Sequence, residues 1–231
     1  MKTVGIIGGI SPESTVDYYR LIIAAYGEQR PDGSSPSIII NSIDLDKLRR
    51  MFDGNQYPAI VAYLTTELQR LAAAKADFAV ISANTPHLVF NELRQQSPLP
   101  LISIVEATCQ TAKTAGLTKL ALLGTRFTMQ GRFYPDVFSR AGIGLISPNP
   151  DEQNYIHEKY FGELVKGAFL PETRQQLLTI IDRMKQRDHI EGVILAGTEL
   201  PLILRDIQRP GIAFLDTTQI HVQAIVRELL S

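Results

Sequence analysis

Short runs of Ile, Val and Leu recur along this 231-residue chain, each stopping at glycine or small polar residues before a longer stretch follows. They are "TVGIIGG" (3–9), "SIIINSI" (37–43), "DFAVISA" (77–83), "LISIVEA" (101–107), "LALLGT" (120–125), "GLISP" (144–148), "GVILAGT" (192–198) and "IAFLDT" (212–217). Most are continuously apolar rather than alternating, which suits strands covered on both faces of a parallel sheet. Between them lie helix patterns: "PESTVDYYRLIIAAYGEQR" (12–30), "PAIVAYLTTELQRLAAAK" (58–75) and "PETRQQLLTIIDRMKQR" (171–187). Each opens at proline, which is pre-set for the first helical turn, and Ser11 is a candidate N-cap for the first of them. Strand and helix in repetition predict an α/β fold with parallel sheets.

The pattern is also stated twice. "VGIIGG" (4–9) is echoed by "LALLGT" (120–125), and "FAVISANTP" (78–86) by "VILAGTELP" (193–201). Val4 and Leu120 lie 116 residues apart, Thr85 and Thr198 lie 113 apart, and both offsets are close to half the chain. Two similar α/β halves follow, residues 1–98 and 99–214, with a boundary near "SPLPL" (97–101). The closing segment, about 215–231, returns to complete the first half. In sheets of this kind ligands sit beyond the carboxyl ends of the strands. The loops Gly8–Ser11, Ser82–Thr85, Thr125–Thr128 and Gly197–Glu199 all fall there. Facing halves would enclose a small cleft lined by hydroxyls, an amide and backbone N–H groups, suited to a small carboxylate.

Several function classes are excluded on composition. Formal net charge is −1 without a long basic or acidic run, so nucleic-acid or membrane-surface binding by bulk electrostatics is not expected. No apolar run approaches the ~18 residues of a membrane-spanning helix. The opening "MKTVGIIGG" is too short for a secretory signal, and a single cysteine rules out an internal disulfide and a Cys-based zinc site. A cytoplasmic location is the default. "GGISPEST" lacks the spacing of a dinucleotide-binding fingerprint.

"MKTVGIIGGISPEST" at the start, "NTPH" (84–87), "LLGTRFTM" (122–129), "DEQNYIHEKYFGELVKG" (151–167) and "GTEL" (197–200) together resemble the aspartate/glutamate racemase family over essentially the whole chain. The resemblance implies two Rossmann-like halves, a homodimer, and catalysis with neither pyridoxal phosphate nor a metal. It implies two cysteines, one from each half, flanking the substrate α-carbon: one removes the proton, the other returns one to the opposite face. Inversion needs two such groups, and thiolates suit because their pKa can be tuned toward neutrality. At the two family cysteine positions this chain has Ala83 and Gly197, and neither side chain can carry a proton. Candidate substitutes are Ser82, His87, Thr198 and Glu199; among these His87 and Glu199 titrate in the useful range. Thr85 is a further hydroxyl in the same stretch.

The expected carboxylate-binding set is Ser11, Asn84, Thr85, Thr125, Thr128 and Thr198. Lys166 matches a family lysine that meets the distal carboxylate. The family's arginine falls in "DLDKLRR" (44–50), best matched by Arg49, with Lys47 and Arg50 as alternative registers. Cys109 reads as a buried structural thiol and His157 as a solvated helix position. Two functions stay open. One is a cofactor-independent racemase or epimerase acting on a small acidic amino acid or related carboxylate with altered proton-transfer groups. The other is a non-catalytic carboxylate binder that kept the cleft.

Overall fold

The computed structural model describes residues 2–205 and 207–231, and the chain divides into two compact units, 1–103 with 221–231, and 104–220. In the first unit, strand β1 (Thr3–Gly8) leads to helix α1 (Pro12–Gln29), β2 (Ser37–Ser42), α2 (Leu45–Asp53), α3 (Tyr57–Ala73), β3 (Phe78–Ile81), a 3₁₀ turn (Thr85–Val89) and α4 (Phe90–Gln96). The sheet order is β2-β1-β3, with both pairings parallel: Ile6 lies opposite Ile40 and Val80. α1 starts as its sequence dictates. Ser11 is the N-cap, Pro12 takes the first turn, and the buried stripe Ser14, Tyr18, Ile22, Ala25, Tyr26 repeats at three- and four-residue spacing. That stripe packs with Val4, Ile6, Phe78 and Val80 and with Val222, Ile225, Val226 and Leu229 of the returning segment. β2 is an edge strand with Ile40 exposed, so it is not buried on both faces.

The second unit runs α5 (Ile104–Thr114), β4 (Lys119–Gly124), α6 (Arg126–Gln130), α7 (Phe133–Arg140), β5 (Gly144–Ile146), α8 (Pro150–Gly162), a 3₁₀ turn (Leu164–Lys166), α9 (Pro171–Asp188), β6 (Gly192–Ala196), α10 (Leu200–Leu204), β7 (Ala213–Asp216) and the start of α11 (Thr217–Leu229). Its strands are parallel in the order β5-β4-β6-β7. The central strands are buried on both faces with a period of two. Ala121, Leu123, Val193 and Leu195 enter a core with α8 and α9 residues; Leu120, Leu122, Ile194 and Ala196 enter another with α5 and α7 residues.

One predicted strand is corrected. In "LISIVEA" (101–107) only Leu101 makes a bridge, to Ala79, and helix α5 begins at Ile104. The run is apolar, but burial of Ile104, Val105, Thr108, Cys109 and Ala112 follows helical rather than strand spacing. Cys109 is buried in that core and its thiol pKa is pushed up by burial, with Lys113 opposing.

The returning segment is tied in by a buried polar link. His221 donates from Nε2 to the Ile102 carbonyl at 3.1 Å, so in the neutral ring Nδ1 accepts from the Tyr18 hydroxyl at 2.8 Å. Burial lowers the His221 pKa to about 4, below its ordinary value of 6.5. Between those values the unfolded chain binds a proton that the folded chain does not, so stability rises with pH across the window and falls as pH drops through it. The expected outcome is that His221→Gln reduces the drop in melting temperature between pH 7 and pH 5. An unchanged drop, measured by calorimetry, would remove His221 as its source.

Candidate functional site

Parallel strands place their carboxyl ends along one edge of each sheet, and the small polar residues noted in the sequence follow those ends. In the first unit β1 ends at Gly8. Gly9 has φ +79°, and a Cβ there would stand 2.5 Å from the Ile43 carbonyl oxygen, so only glycine fits. Its N–H donates to Thr15 Oγ1 at 2.8 Å, and the Ser11 carbonyl accepts from the Ser14 and Thr15 hydroxyls. Beyond β3, the Ser82 hydroxyl donates to the Ile7 carbonyl at 3.1 Å, which ties the loop to β1. Ala83 and Asn84 are buried, while Thr85, the first residue of the 3₁₀ turn, is half-buried.

His87 is buried and lies flat against Phe90, with ring centroids 4.6 Å apart. Nδ1 lies 3.1 Å from the Ala83 carbonyl oxygen, which can only accept, so Nδ1 carries the proton. Burial first, and then the nearby His221, push the pKa down to about 3. This corrects the expectation that His87 titrates near neutrality. The ring is a neutral donor holding the backbone at Ala83, and its low basicity suits it poorly to removing a proton from carbon.

In the second unit β4 ends at Gly124, where a Cβ would come within 2.5 Å of the Ala196 carbonyl oxygen, so the ends of β4 and β6 lie side by side. Thr125 is the N-cap of α6: its hydroxyl accepts from the Thr128 N–H at 3.3 Å, and the two hydroxyls are 3.2 Å apart. β6 ends at Ala196, directly before Gly197, Thr198 and Glu199. Thr198 and Glu199 are each 1% exposed. The Thr198 hydroxyl donates to Glu199 Oε2 at 3.1 Å, and the Tyr160 hydroxyl donates to the same oxygen. Tyr160 lies at the C-terminal end of α8, and its ring fills the volume beside Gly197. Burial, followed by the Glu199 charge, holds the phenol pKa well above its ordinary value of 10.

The remaining expected residues are not drawn into these clusters. Arg49 sits on α2, half-exposed, paired with Asp46 at 3.3 Å; Lys47 lies over the Tyr63 ring at 4.0 Å. Lys166 is exposed on the 3₁₀ turn after α8. His157 is half-buried on α8: Nδ1 accepts the Arg126 N–H at 3.1 Å, and the ring meets Phe127 and Phe161 edge-on. Tyr160 was not singled out from the sequence. It sat in a family-like block, but only the fold brings it against Gly197. Among the described residues no three His, Cys, Asp or Glu side chains gather in a way that could hold a metal, and no helix is long and apolar enough to cross a membrane.

Each of the two α/β units has a parallel sheet with small hydroxyl-bearing residues in the loops at its carboxyl strand ends. The Asp/Glu/Hydantoin racemase family model matches residues 7–225, and the chain belongs to that family. It is similar in structure to a candidate Asp/Glu racemase from Yersinia pestis, with TM-score 0.90, 30% identity and 100% of both chains covered. An aspartate racemase homologue from Pyrococcus horikoshii OT3 matches with TM-score 0.84 and 30% identity, again over 100% of both chains. A curated relative, the broad-specificity amino-acid racemase RacX of Bacillus subtilis, is 24% identical over 220 residues, covering 89% of this chain and 88% of the relative.

The cap at the end of β4 can be tested by stability. Thr125→Ala removes the acceptor for the Thr128 N–H and should cost about 1 kcal/mol, within the usual range for such caps. Thr125→Ser should retain most of it in urea titration. Equal loss in both variants would mean that the methyl, not the hydroxyl, matters.

Proposed function

We propose that the chain is an enzyme acting without pyridoxal phosphate or metal on the α-carbon of a small amino-acid carboxylate of the aspartate/glutamate class. In this reading proton transfer has moved from thiols to Glu199. The carrying observation is that carboxylate: buried, two residues beyond the empty cysteine position, and held by the Tyr160 and Thr198 hydroxyls. Family membership supports isomerase chemistry, and RacX is described as acting broadly on amino acids.

In the step proposed, a Glu199 oxygen takes the α-proton. The C–H bond breaks, an O–H bond forms, and the electron pair delocalises into the substrate carboxylate. Thr125 and Thr128, on the neighbouring strand end, are proposed donors to that carboxylate, with Asn84, Thr85, Ser11 and the backbone N–H of Thr198, whose hydroxyl is committed to Glu199. Arg49 and Lys166 are proposed for a distal carboxylate, which would require Arg49 to exchange Asp46 for the ligand. Hydrogen bonds to a charged group are worth roughly 1.5–3 kcal/mol each. Working as a homodimer in the cytoplasm belongs to the same proposal.

A second reading, binding without chemistry, is favoured by a different observation. Ala83 has no proton to give, and His87 beside it is held neutral with Nδ1 committed to the Ala83 carbonyl. The two readings part in deuterium oxide. With L- and D-aspartate and glutamate, the enzyme reading expects loss of the α-proton NMR signal. Exchange should outrun inversion, since a single base returns the proton to the face it left. It should survive thiol alkylation and Cys109→Ser, and fall by at least about a hundredfold in Glu199→Gln, the scale of a lost general base. Ligand binding by calorimetry with no exchange would establish the binder instead.

A further inference from the structure

Gly197 and Tyr160 have a geometric relation that the absence of cysteine alone does not explain. A Cβ built on Gly197 would stand 2.5 Å from Tyr160 Cε2 and 3.0 Å from both Cζ and the phenol oxygen. Real Cβ atoms do not approach a buried ring so closely. The backbone does not demand glycine here, because Gly197 is not among the residues with positive φ. The ring does. Any side chain at 197, a cysteine included, competes with it for the same volume.

The ring's hydroxyl has a fixed task. It is buried and donates to Glu199 Oε2, the oxygen that also accepts from Thr198. The neighbouring carboxylate makes ionisation of the phenol costly, so Tyr160 stays a donor through the working pH range and is not itself the acid or base. Two donors converging on a single oxygen fix the carboxylate's orientation.

We propose that Tyr160 is a positioning residue for the Glu199 carboxylate, and that the missing side chain at Gly197 is the space in which it works. Phenol and thiol are alternative occupants of one position. The proposal rests on the reading of Glu199 as base.

The test uses the whole chain with aspartate and glutamate in deuterium oxide, and two readouts. The first is kcat and KM for α-deuterium incorporation. Tyr160→Phe keeps the ring's volume and loses one hydrogen bond to a charge. It should lower kcat by about tenfold or more with KM changed less than about twofold. Gly197→Ala displaces the ring and should copy that effect. The second readout is a slowly exchanging phenolic proton resonance downfield of the amide region in the NMR spectrum. It should be present in the wild type and absent from Tyr160→Phe, Glu199→Gln and Gly197→Ala. A merely structural ring would lower the melting temperature and leave kcat per folded molecule unchanged. Wild-type kcat in folded Tyr160→Phe, with Glu199→Gln inactive, would overturn the proposal. Wild-type exchange in Glu199→Gln would instead sink the base assignment. The resonance, which needs no turnover, then decides the steric coupling, and its survival in Gly197→Ala would overturn that as well.

Discussion

The constraint on which the rest depends is the burial of β1, β3, β4 and β6 on both faces. Strands whose side chains enter apolar cores on either side leave no room for polar chemistry along their length. Polar groups are displaced to the strand ends, where the chain must turn and the backbone needs partners. The turns are built from the tightest available residues: Gly9 passes over the Ile43 carbonyl, and Gly124 lies against the Ala196 carbonyl. Ser82 and Thr217 complete the edges by donating their hydroxyls to the Ile7 and Leu195 carbonyls. The chemistry of the site is thus what remains when sheet burial and backbone satisfaction have both been met.

That division explains what was legible in the sequence. Continuous Ile-Val-Leu runs specify parallel strands because burial on both faces removes alternation, and Ser11-Pro12 and Pro171 mark helix starts through a cap and a fixed φ. The run 101–107 misled because a short apolar stretch carries no period of its own until its neighbours are placed. His87 was legible as a residue type at a strand end but not as a neutral ring, since its burial depends on Phe90 and the surrounding fold. Tyr160 was opaque for a plainer reason. Its partner Glu199 is 39 residues away, and nothing local announces the meeting.

Positions 83 and 197 differ in what surrounds them. At 83 the side chain is a methyl, and the backbone carbonyl accepts from His87 Nδ1. At 197 the side chain is gone and an aromatic ring from another helix occupies the place. In the first unit the position offers only a methyl; in the second a phenol that donates to a carboxylate fills the volume. The chemistry proposed for the chain is accordingly centred on the second unit.

The first unit is discontinuous, and this sets an order of events during synthesis. Residues 104–220, with both of their core layers, are all available before the last segment of the first unit exists. Residues 1–103 emerge earlier, yet their core includes Val222, Ile225, Val226 and Leu229, and Tyr18 and the Ile102 carbonyl meet His221. The ribosome therefore completes the middle of the chain first and closes its beginning last. Until residues 221–231 are released, the apolar faces of α1 and β1 that they cover are open to chaperones, proteases and other nascent chains.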